Sequence, residues 1–399
     1  MTTIATVAFW VALGAIVYVY AGYPLLLLLL GALKRRLPTP PDGHEPDVTL
    51  LVSAYNEEAV IREKIENSLA LDYPRERLEV LVASDGSTDR TAAIVAEYTD
   101  RGVRLLRYPV NRGKNATLND AIPEARGELI VFTDANGKFA PSALRKLARH
   151  FADPAVGCVC GELHYLSGDD NLVARGYNVY WRYDQRLKRL ESRLGCLLGA
   201  NGSIFAIRRR LYRPLPNSIP NDMVVPIQIA AQGYEVVYDP EAVSREAGSE
   251  DAPEELGRRS RIVGRGILGV RAVLPGVWRS GRGLLLWELV SRKLLRYCTP
   301  FLFGGLLLAN LFLWTGVYAL TLAGQAVFYA AALAAALLRR GGLSVRVLSF
   351  PLYFVLGNLA TALGWWKVVT RRELGRWETV ARTYDAQIPA GGSVGGPRR

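Results

Sequence analysis

Histidine and cysteine are scarce in this chain, with three and four copies in 399 residues. The four cysteines, Cys158, Cys160, Cys196 and Cys298, lack the spacing of a zinc site. Cys158 and Cys160 alternate along a strand-like run, where a free thiol packs as a small hydrophobe. No disulfide and no metal–thiolate site are expected. No internal repeat is visible either. Charge is missing from long stretches at both ends. Ile4 to Leu33 carries none and is long enough to cross a bilayer, which takes about 20 residues. Pro300 to Leu338 is uncharged and long enough for two crossings, and Val347 to Trp366, between Arg346 and Lys367, offers one more.

The first apolar stretch has no Lys or Arg ahead of it and exceeds the roughly 7–15-residue core of a cleaved signal peptide. It reads as a signal anchor. It ends in Lys34-Arg35-Arg36, which favours a cytoplasmic position for the domain after it. Hydrophobic residues make up 50% and charged residues still 22%, so the apolar content is concentrated in the end segments. The net charge of +12 is not spread as a nucleic-acid footprint. Much of it lies in Arg258 to Arg296 and beside the apolar segments, which points to an anionic membrane surface. A lipid bilayer is therefore an expected partner and nucleic acid is not; an integral inner or plasma membrane protein with several crossings is expected. The sequence carries no signal of oligomeric state.

The chain divides into six parts: a membrane helix at 1–36, a proline-rich linker at 37–46 and an α/β domain at 47–257, then basic amphipathic helices of the headgroup layer at 258–297, membrane helices at 298–370 and a basic, disordered tail at 371–399. Within the α/β domain, strand patterns at Val48–Val52, Leu78–Ala83, Val103–Arg107 and Leu129–Phe132 alternate with helix patterns at Glu57–Leu69, Asp89–Tyr98 and Ala116–Ala125. That rhythm implies a mainly parallel sheet covered on both faces. A helix at Pro141–Phe151 and a strand at Val156–Leu163 come next, then a long aromatic and basic helix, Leu172–Leu190, breaks the pattern. A strand at Ile204–Ile207, a helix at Asp222–Gln232 and a strand at Glu235–Tyr238 complete the domain.

Four polar loci fall just past predicted strands: Tyr55-Asn56-Glu57-Glu58, Asp85-Gly86-Ser87-Thr88-Asp89, Asn111-Arg112-Gly113-Lys114 and Asp134-Ala135-Asn136. Singly, each is also a good turn or helix start. Together, in a parallel sheet, they gather at the edge where open α/β sheets bind ligands. Asp134 and Asn136, one residue apart, can offer two oxygens to one hard cation.

This set resembles the family 2 glycosyltransferases of GT-A fold. The resemblance covers about Asp47 to Arg261, and the flanking apolar segments match the branch of membrane-embedded polysaccharide synthases that make cellulose, hyaluronan or poly-N-acetylglucosamine. It implies a Rossmann-like nucleotide-sugar-binding domain between N- and C-terminal transmembrane helices. It also implies that Tyr55, Glu57 and Asp85 contact the donor's nucleoside, that Lys114 lies near the diphosphate, and that Asp134 and Asn136 hold Mg²⁺ or Mn²⁺. Here Asn136 replaces the second Asp of the family's D-x-D motif. Pro220-Asn221-Asp222 resembles the T-E-D motif, which makes Asp222 the catalytic base, and a helix cap is compatible with that role. Arg258-Arg259-Ser260-Arg261-Ile262 resembles Q-x-x-R-W, with Arg261 retained beside the leaving diphosphate and Arg258 at the Gln position of that donor-side motif. Ile262 replaces the Trp on which a growing chain would stack, which disfavours processive synthesis.

The expected activity is that of a membrane-bound inverting glycosyltransferase of the hexosyltransferase class, moving a sugar from a donor, UDP-linked by expectation, to a glycan or lipid-linked acceptor. Alternatives are a single-transfer enzyme acting on a polyprenyl phosphate or lipid, and a catalytically silent nucleotide-sugar-binding membrane subunit.

Overall fold

Seven consecutive residues, Val48–Ala54, are buried along the whole of strand β1. A strand covered on both faces requires such an unbroken run. In the computed structural model, which describes residues 2–34, 40–166, 172–247, 252–340, 343 and 345–371, β1 stands between two parallel neighbours. These are β2 (Leu78–Asp85) and β4 (Leu129–Asp134), and β3 (Val103–Tyr108) extends the parallel half beyond β2. The eight-stranded order continues from β4 through β7 (Phe205–Arg208), β6 (Val156–Leu166) and β8 (Glu235–Ala247) to β5 (Lys138–Phe139). β7 is antiparallel to both β4 and β6, and β5 is antiparallel to β8, so the sheet is mixed.

Alternation along the strands divides the core. Leu51, Leu81, Ile130 and Phe132 face the side covered by the Lys114–Glu124 and Asn221–Ala231 helices. Val52, Val80 and Val82 face Ile61, Ile65 and Ile94 of the helices on the other side. Phe132 and Phe205, partners across β4 and β7, stack at 4.3 Å between centroids. Both Cys158 and Cys160 are buried on β6.

Several boundaries differ from those expected from the sequence, each for a local reason. The helix expected from Glu57 begins at Ile61, because Asn56 takes a left-handed φ of 52° and the backbone after it bonds to the next loop. β8 has 13 residues where four were expected, since it pairs with β6 across a register shift at Gly161/Glu162. The two-residue β5 carries too short a pattern to be read. The boundary expected at 257/258 falls inside one helix, Ala252–Arg279. That helix packs between Asn221–Ala231 and Ser349–Val369, with Lys367 Nζ donating to Ser260 Oγ (2.6 Å) and Arg259 over the Tyr353 ring (4.6 Å).

Among the described residues three helices are long and apolar enough to cross a membrane: Thr2–Leu33, Val317–Leu338 and Ser349–Val369. Of Pro300–Leu338, which is long enough for two crossings, Val317–Leu338 forms one helix of sufficient length and Thr299–Asn310 does not. Thr299–Asn310 has 12 residues, so it reaches only about 18 Å of a roughly 30 Å hydrocarbon layer. Leu306, Ala309 and Leu313 pack instead against Ala5, Phe9, Ala12 and Ile16 of the first helix. The side chains of 172–182, with Arg175, Tyr177, Tyr180, Trp181 and Arg182, and the tail from 372 lie outside the described residues.

Gly86 sets how closely the β2 loop approaches its neighbour. Its φ is +68°, and a Cβ there would lie 2.3 Å from the carbonyl carbon of Val110. Gly86→Ala should destabilise the protein by about 1–3 kcal/mol from left-handed strain alone, with the backbone clash adding to it. The check is the midpoint of thermal unfolding in detergent; an unchanged midpoint would show that the loop yields.

Candidate active site

The first two polar loci form one unit. Thr88 N donates to Asn56 Oδ1 (2.8 Å), Asn56 N to Ser87 Oγ (3.2 Å) and Glu57 N to Thr91 Oγ1 (2.8 Å). Glu58 N donates to Asp89 Oδ2 (3.0 Å), and Glu58 in turn accepts from Arg90 N (2.9 Å). The parallel register brings these loops beside β4, with Ala54 opposite Ser84 and Ser53 opposite Asp134.

Asp85 is fully buried, and its two carboxylate oxygens accept from the backbone of Arg112 (2.9 Å) and Gly113 (2.7 Å). Those bonds fix the turn at Gly113, φ +96°, from which the Lys114–Glu124 helix starts. Lys114 Nζ then reaches Asp134 Oδ1 at 2.5 Å. The chain of contacts from Asp85 to Asp134 thus orients a lysine and a carboxylate toward the same space.

Beneath the Asp134-Ala135-Asn136 turn lies a residue that the sequence does not single out. The Ile61–Leu69 helix buries Ile61, Lys64, Ile65 and Ser68, the spacing of an apolar stripe, with a lysine in it. Lys64 Nζ donates to Thr133 Oγ1 (2.8 Å) and Gly137 O (2.5 Å), and it lies 4.5 Å from the centre of the Phe139 ring. Burial pushes its pKa down to about 7, against the pull of Asp134 and Glu246. One turn on, Asn67 donates to Phe139 O (2.9 Å) and accepts from Phe139 N (2.8 Å). The turn is therefore gripped on both sides by one helix face. Its Asn136 has a buried Nδ2 with no hydrogen bond among the described residues. A hard cation would need the amide oxygen, Oδ1, beside an Asp134 carboxylate that Lys114 engages, and among the described residues no group of three or more His, Cys, Asp or Glu could hold a metal ion.

A cavity of about 370 Å³ opens in front of this turn, and Lys114, Asp134, Asp222, Ile262, Arg265 and Lys293 are among its walls. Asp222 is the second residue of Asn221–Ala231, and its carbonyl accepts from Ala200 N at 2.7 Å. Among the described residues no hydrogen bond or ion pair engages its carboxylate, so Asp222 caps no helix. Arg265 donates through Nη2 to Ile219 O (2.8 Å) and Asn217 O (3.2 Å), while its Nε is buried with no hydrogen bond among the described residues. Burial lowers the Arg265 pKa and the nearby Asp222 opposes this.

The far wall is ionic. Arg292 Nη2 donates to Asp184 Oδ1 (3.0 Å), Arg292 Nε stands 2.5 Å from Glu191 Oε1, and Lys188 Nζ lies 3.6 Å from Asp184. Burial alone would raise the Asp184 pKa, but Arg292, Lys188 and Lys293 hold it below the usual carboxylate range. Tyr23 of the first apolar helix donates to Glu191 Oε1 (3.0 Å). Charged residues inside apolar helical patterns were the available signal for this wall.

Of the residues proposed from sequence, Lys114, Asp134 and Asp222 line one cavity. Tyr55, Glu57, Asp85 and Asn136 stand on the adjoining strand-end loops. From the Ala252–Arg279 helix the walls comprise Ile262, Arg265 and Gly266; Arg258 and Arg261 are not among them.

The family model described as Glycosyl transferase family 2 matches residues 49–215. Similar proteins include a probable glycosyltransferase, YdaM, of Bacillus subtilis (28% identical; 51% of this chain and 51% of that protein). An N-acetylglucosaminyltransferase of Rhizobium leguminosarum bv. viciae is 27% identical over 59% of each chain. The chain thus spans about half to three fifths of the length of these curated relatives. Among solved structures, the mannosyltransferase PcManGT from Pyrobaculum calidifontis, in complex with GDP-Man and Mn²⁺, superposes with a TM-score of 0.70. It is 23% identical, covers 93% of this chain and 99% of its own, and supports the fold. The matched segment runs from β1 past β7 and holds the four strand-end loops, so it is this part of the chain that is similar to glycosyltransferase family 2.

Proposed function

We propose that this protein is a membrane-bound inverting glycosyltransferase that moves a sugar from a nucleoside diphosphate sugar to an acceptor hydroxyl. The observation that carries this reading is the unengaged Asp222 carboxylate, facing the same cavity as the Lys114–Asp134 pair. A sugar hydroxyl is a poor nucleophile until a base takes its proton. As the acceptor oxygen bonds to C1, its proton passes to Asp222, and the C1–O bond to the diphosphate breaks with the electron pair leaving on phosphate. Attack from the face opposite the leaving group inverts C1.

Lys114 and Arg265 supply positive charge where negative charge develops. This assigns to Arg265 the leaving-group role that sequence alone gave to Arg261, with Arg258 and Arg261 behind it on the same helix. Tyr55, Glu57 and Asp85 serve the nucleoside end, Asp85 by fixing the Gly113 turn that carries Lys114. Asp134 and Asn136 would hold Mg²⁺ or Mn²⁺, which when bound neutralises diphosphate charge. Mn²⁺ accompanies GDP-Man in the Pyrobaculum enzyme. UDP remains the proposed donor base, after the polysaccharide-synthase resemblance.

The Lys34-Arg35-Arg36 cluster supports a cytoplasmic domain on a membrane anchored by the three apolar helices. Ile262 lies in the cavity wall with 55% of its surface exposed, and it gives a terminal sugar no ring to stack on. This favours single or short additions over long polymer. Another relative, a beta-monoglucosyldiacylglycerol synthase of Synechocystis (31% identical, covering 40% of this chain and 35% of that protein), carries a lipid product in its name.

Asp222→Asn should lower transfer by about 10²–10⁴-fold while nucleoside diphosphate binding stays near native. Native-rate transfer by this variant would remove the base assignment. Turnover should need a divalent cation: Asp134→Ala should lose most activity, Asn136→Asp should keep or improve it, and full activity in excess EDTA would contradict the metal assignment. Lys64→Met should stay folded yet raise the Mn²⁺ concentration for half-activation by roughly 10–100-fold. An unchanged Mn²⁺ requirement would reduce Lys64 to a packing role.

A further inference from the structure

One end of the cavity holds a cation that, among the described residues, has no counter-ion of its own. Lys293 lines it, and no hydrogen bond or ion pair among those residues engages its Nζ. The nearby acids are already taken, Asp184 by Arg292 and Lys188, and Glu191 by Arg292 and Tyr23. The cavity walls carry five cations (Lys114, Lys188, Arg265, Arg292 and Lys293) against four carboxylates (Asp134, Asp184, Glu191 and Asp222), so one positive charge is in excess. Burial, with Arg292 beside it, brings the Lys293 pKa down to about 8, while Asp184 and Glu191 pull it up. A partly desolvated ammonium in this state gains most from an incoming anion. Arg265, on the same cavity, holds a second under-used donor in its Nε.

This end is not where the donor's phosphates are expected. Those belong with Lys114 and Asp134, inside the family 2 segment 49–215, whereas Lys293 stands on the helical run that leads straight into the apolar Thr299–Asn310 helix. Two residues before it, Ser291 Oγ lies 2.7 Å from Tyr18 Oη of the Thr2–Leu33 helix, and Trp287 Nε1 donates to the same hydroxyl at 2.8 Å. The leftover charge therefore sits at the membrane end of the cavity. The anion native to that place is phosphate.

We infer that Lys293 seats a phosphate group borne by the acceptor, so that the acceptor class is a phosphate-bearing amphiphile whose hydroxyl is delivered to Asp222. This rests on reading the cavity as a transferase site. The test uses the full chain purified in neutral detergent. Thermal stabilisation is measured with inorganic phosphate, with dihexanoyl phosphatidylglycerol and with uncharged dioctanoylglycerol, each with and without saturating UDP or GDP plus Mn²⁺.

Phosphatidylglycerol should raise the unfolding midpoint on top of the nucleotide effect, and dioctanoylglycerol should not. A matching effect of inorganic phosphate would identify the bare anion as sufficient; its absence would identify the lipid headgroup as the source. Lys293→Gln should weaken the phosphate ligand by roughly 10–100-fold, the loss expected for one charge-assisted bond, and Lys293→Arg should restore it. Retained nucleoside diphosphate stabilisation shows that the variant is folded. Equal binding of the uncharged lipid, an unchanged affinity in Lys293→Gln, or loss of the phosphate effect in saturating nucleotide would overturn the inference, the last by giving Lys293 to the donor. Absence of sugar transfer to any acceptor would instead sink the transferase reading and leave the phosphate site standing.

Discussion

The site depends on parallel pairing in register. β1 carries β2 on one side and β4 on the other, with Ala54 opposite Ser84 and Ser53 opposite Asp134. Because side chains alternate with a period of two, a slip of one residue would turn Asp134 to the other face and remove the partner of Lys114. The all-buried run Val48–Ala54 makes that slip expensive only in concert with its neighbours, since an apolar strand can slide without exposing polar groups. The lock comes from the loops. Asn56, Ser87, Thr88 and Asp89 bond the β1 and β2 ends to each other, and Asp85 bonds the β2 end to Gly113.

Two kinds of ion pair meet in the cavity, and they do different work. Lys114 and Asp134 keep 21% and 35% of their side-chain surface exposed, so water screens their attraction and either partner can exchange for a ligand at small cost. Arg292 and Glu191 keep 5% and 1%. Removing one partner from such a desolvated pair typically costs about 3–5 kcal/mol, because the other charge is then stranded. The exchangeable pair lies where ligand chemistry is proposed, and the fixed one forms the scaffold behind it.

Much of this was legible in the sequence, and the rest was hidden for physical reasons. Strand ends announce themselves through apolar runs closed by Asp, Asn and Gly, so Asp85, Lys114 and Asp134 can be placed at the sheet edge from the amino-acid pattern, whereas Asp222, on a helix, is picked out only by the resemblance of Pro220-Asn221-Asp222 to T-E-D. Lys64 cannot, because a lysine in an amphipathic helix is ordinarily solvated, and only the fold shows that it occupies a stripe position under a turn. Arg265 was missed for a related reason. Four arginines lie within eight residues, Arg258 to Arg265, and the sequence does not say which of them points into the cavity. The extra length of β8 was illegible because it depends on β6, a partner about 80 residues away in the chain. Within Pro300 to Leu338, total apolar length says nothing of where the helix breaks.

The long apolar helices are more than an appendage to this domain. Tyr23 of Thr2–Leu33 bonds Glu191, Glu191 faces Arg292, and Arg292 holds Asp184, so the first helix is joined to the cavity wall by consecutive polar contacts. Tyr18, one helical turn and a half earlier, bonds Ser291 and Trp287 on the segment that carries Lys293. A tyrosine suits this place because its ring remains in apolar surroundings while its hydroxyl satisfies a buried acceptor. The Ala252–Arg279 helix makes the same connection from the other side, with Arg265 in the cavity and Ser260 bonded to Lys367 at the end of Ser349–Val369. Any displacement of either apolar helix would thus move charges that line the cavity. An acceptor drawn from the bilayer would meet a wall whose geometry is set by the helices it arrives between, while the nucleotide end is set by the sheet. In the proposed reaction the two ends would be held by different parts of the chain, with Asp222 on the cavity they share.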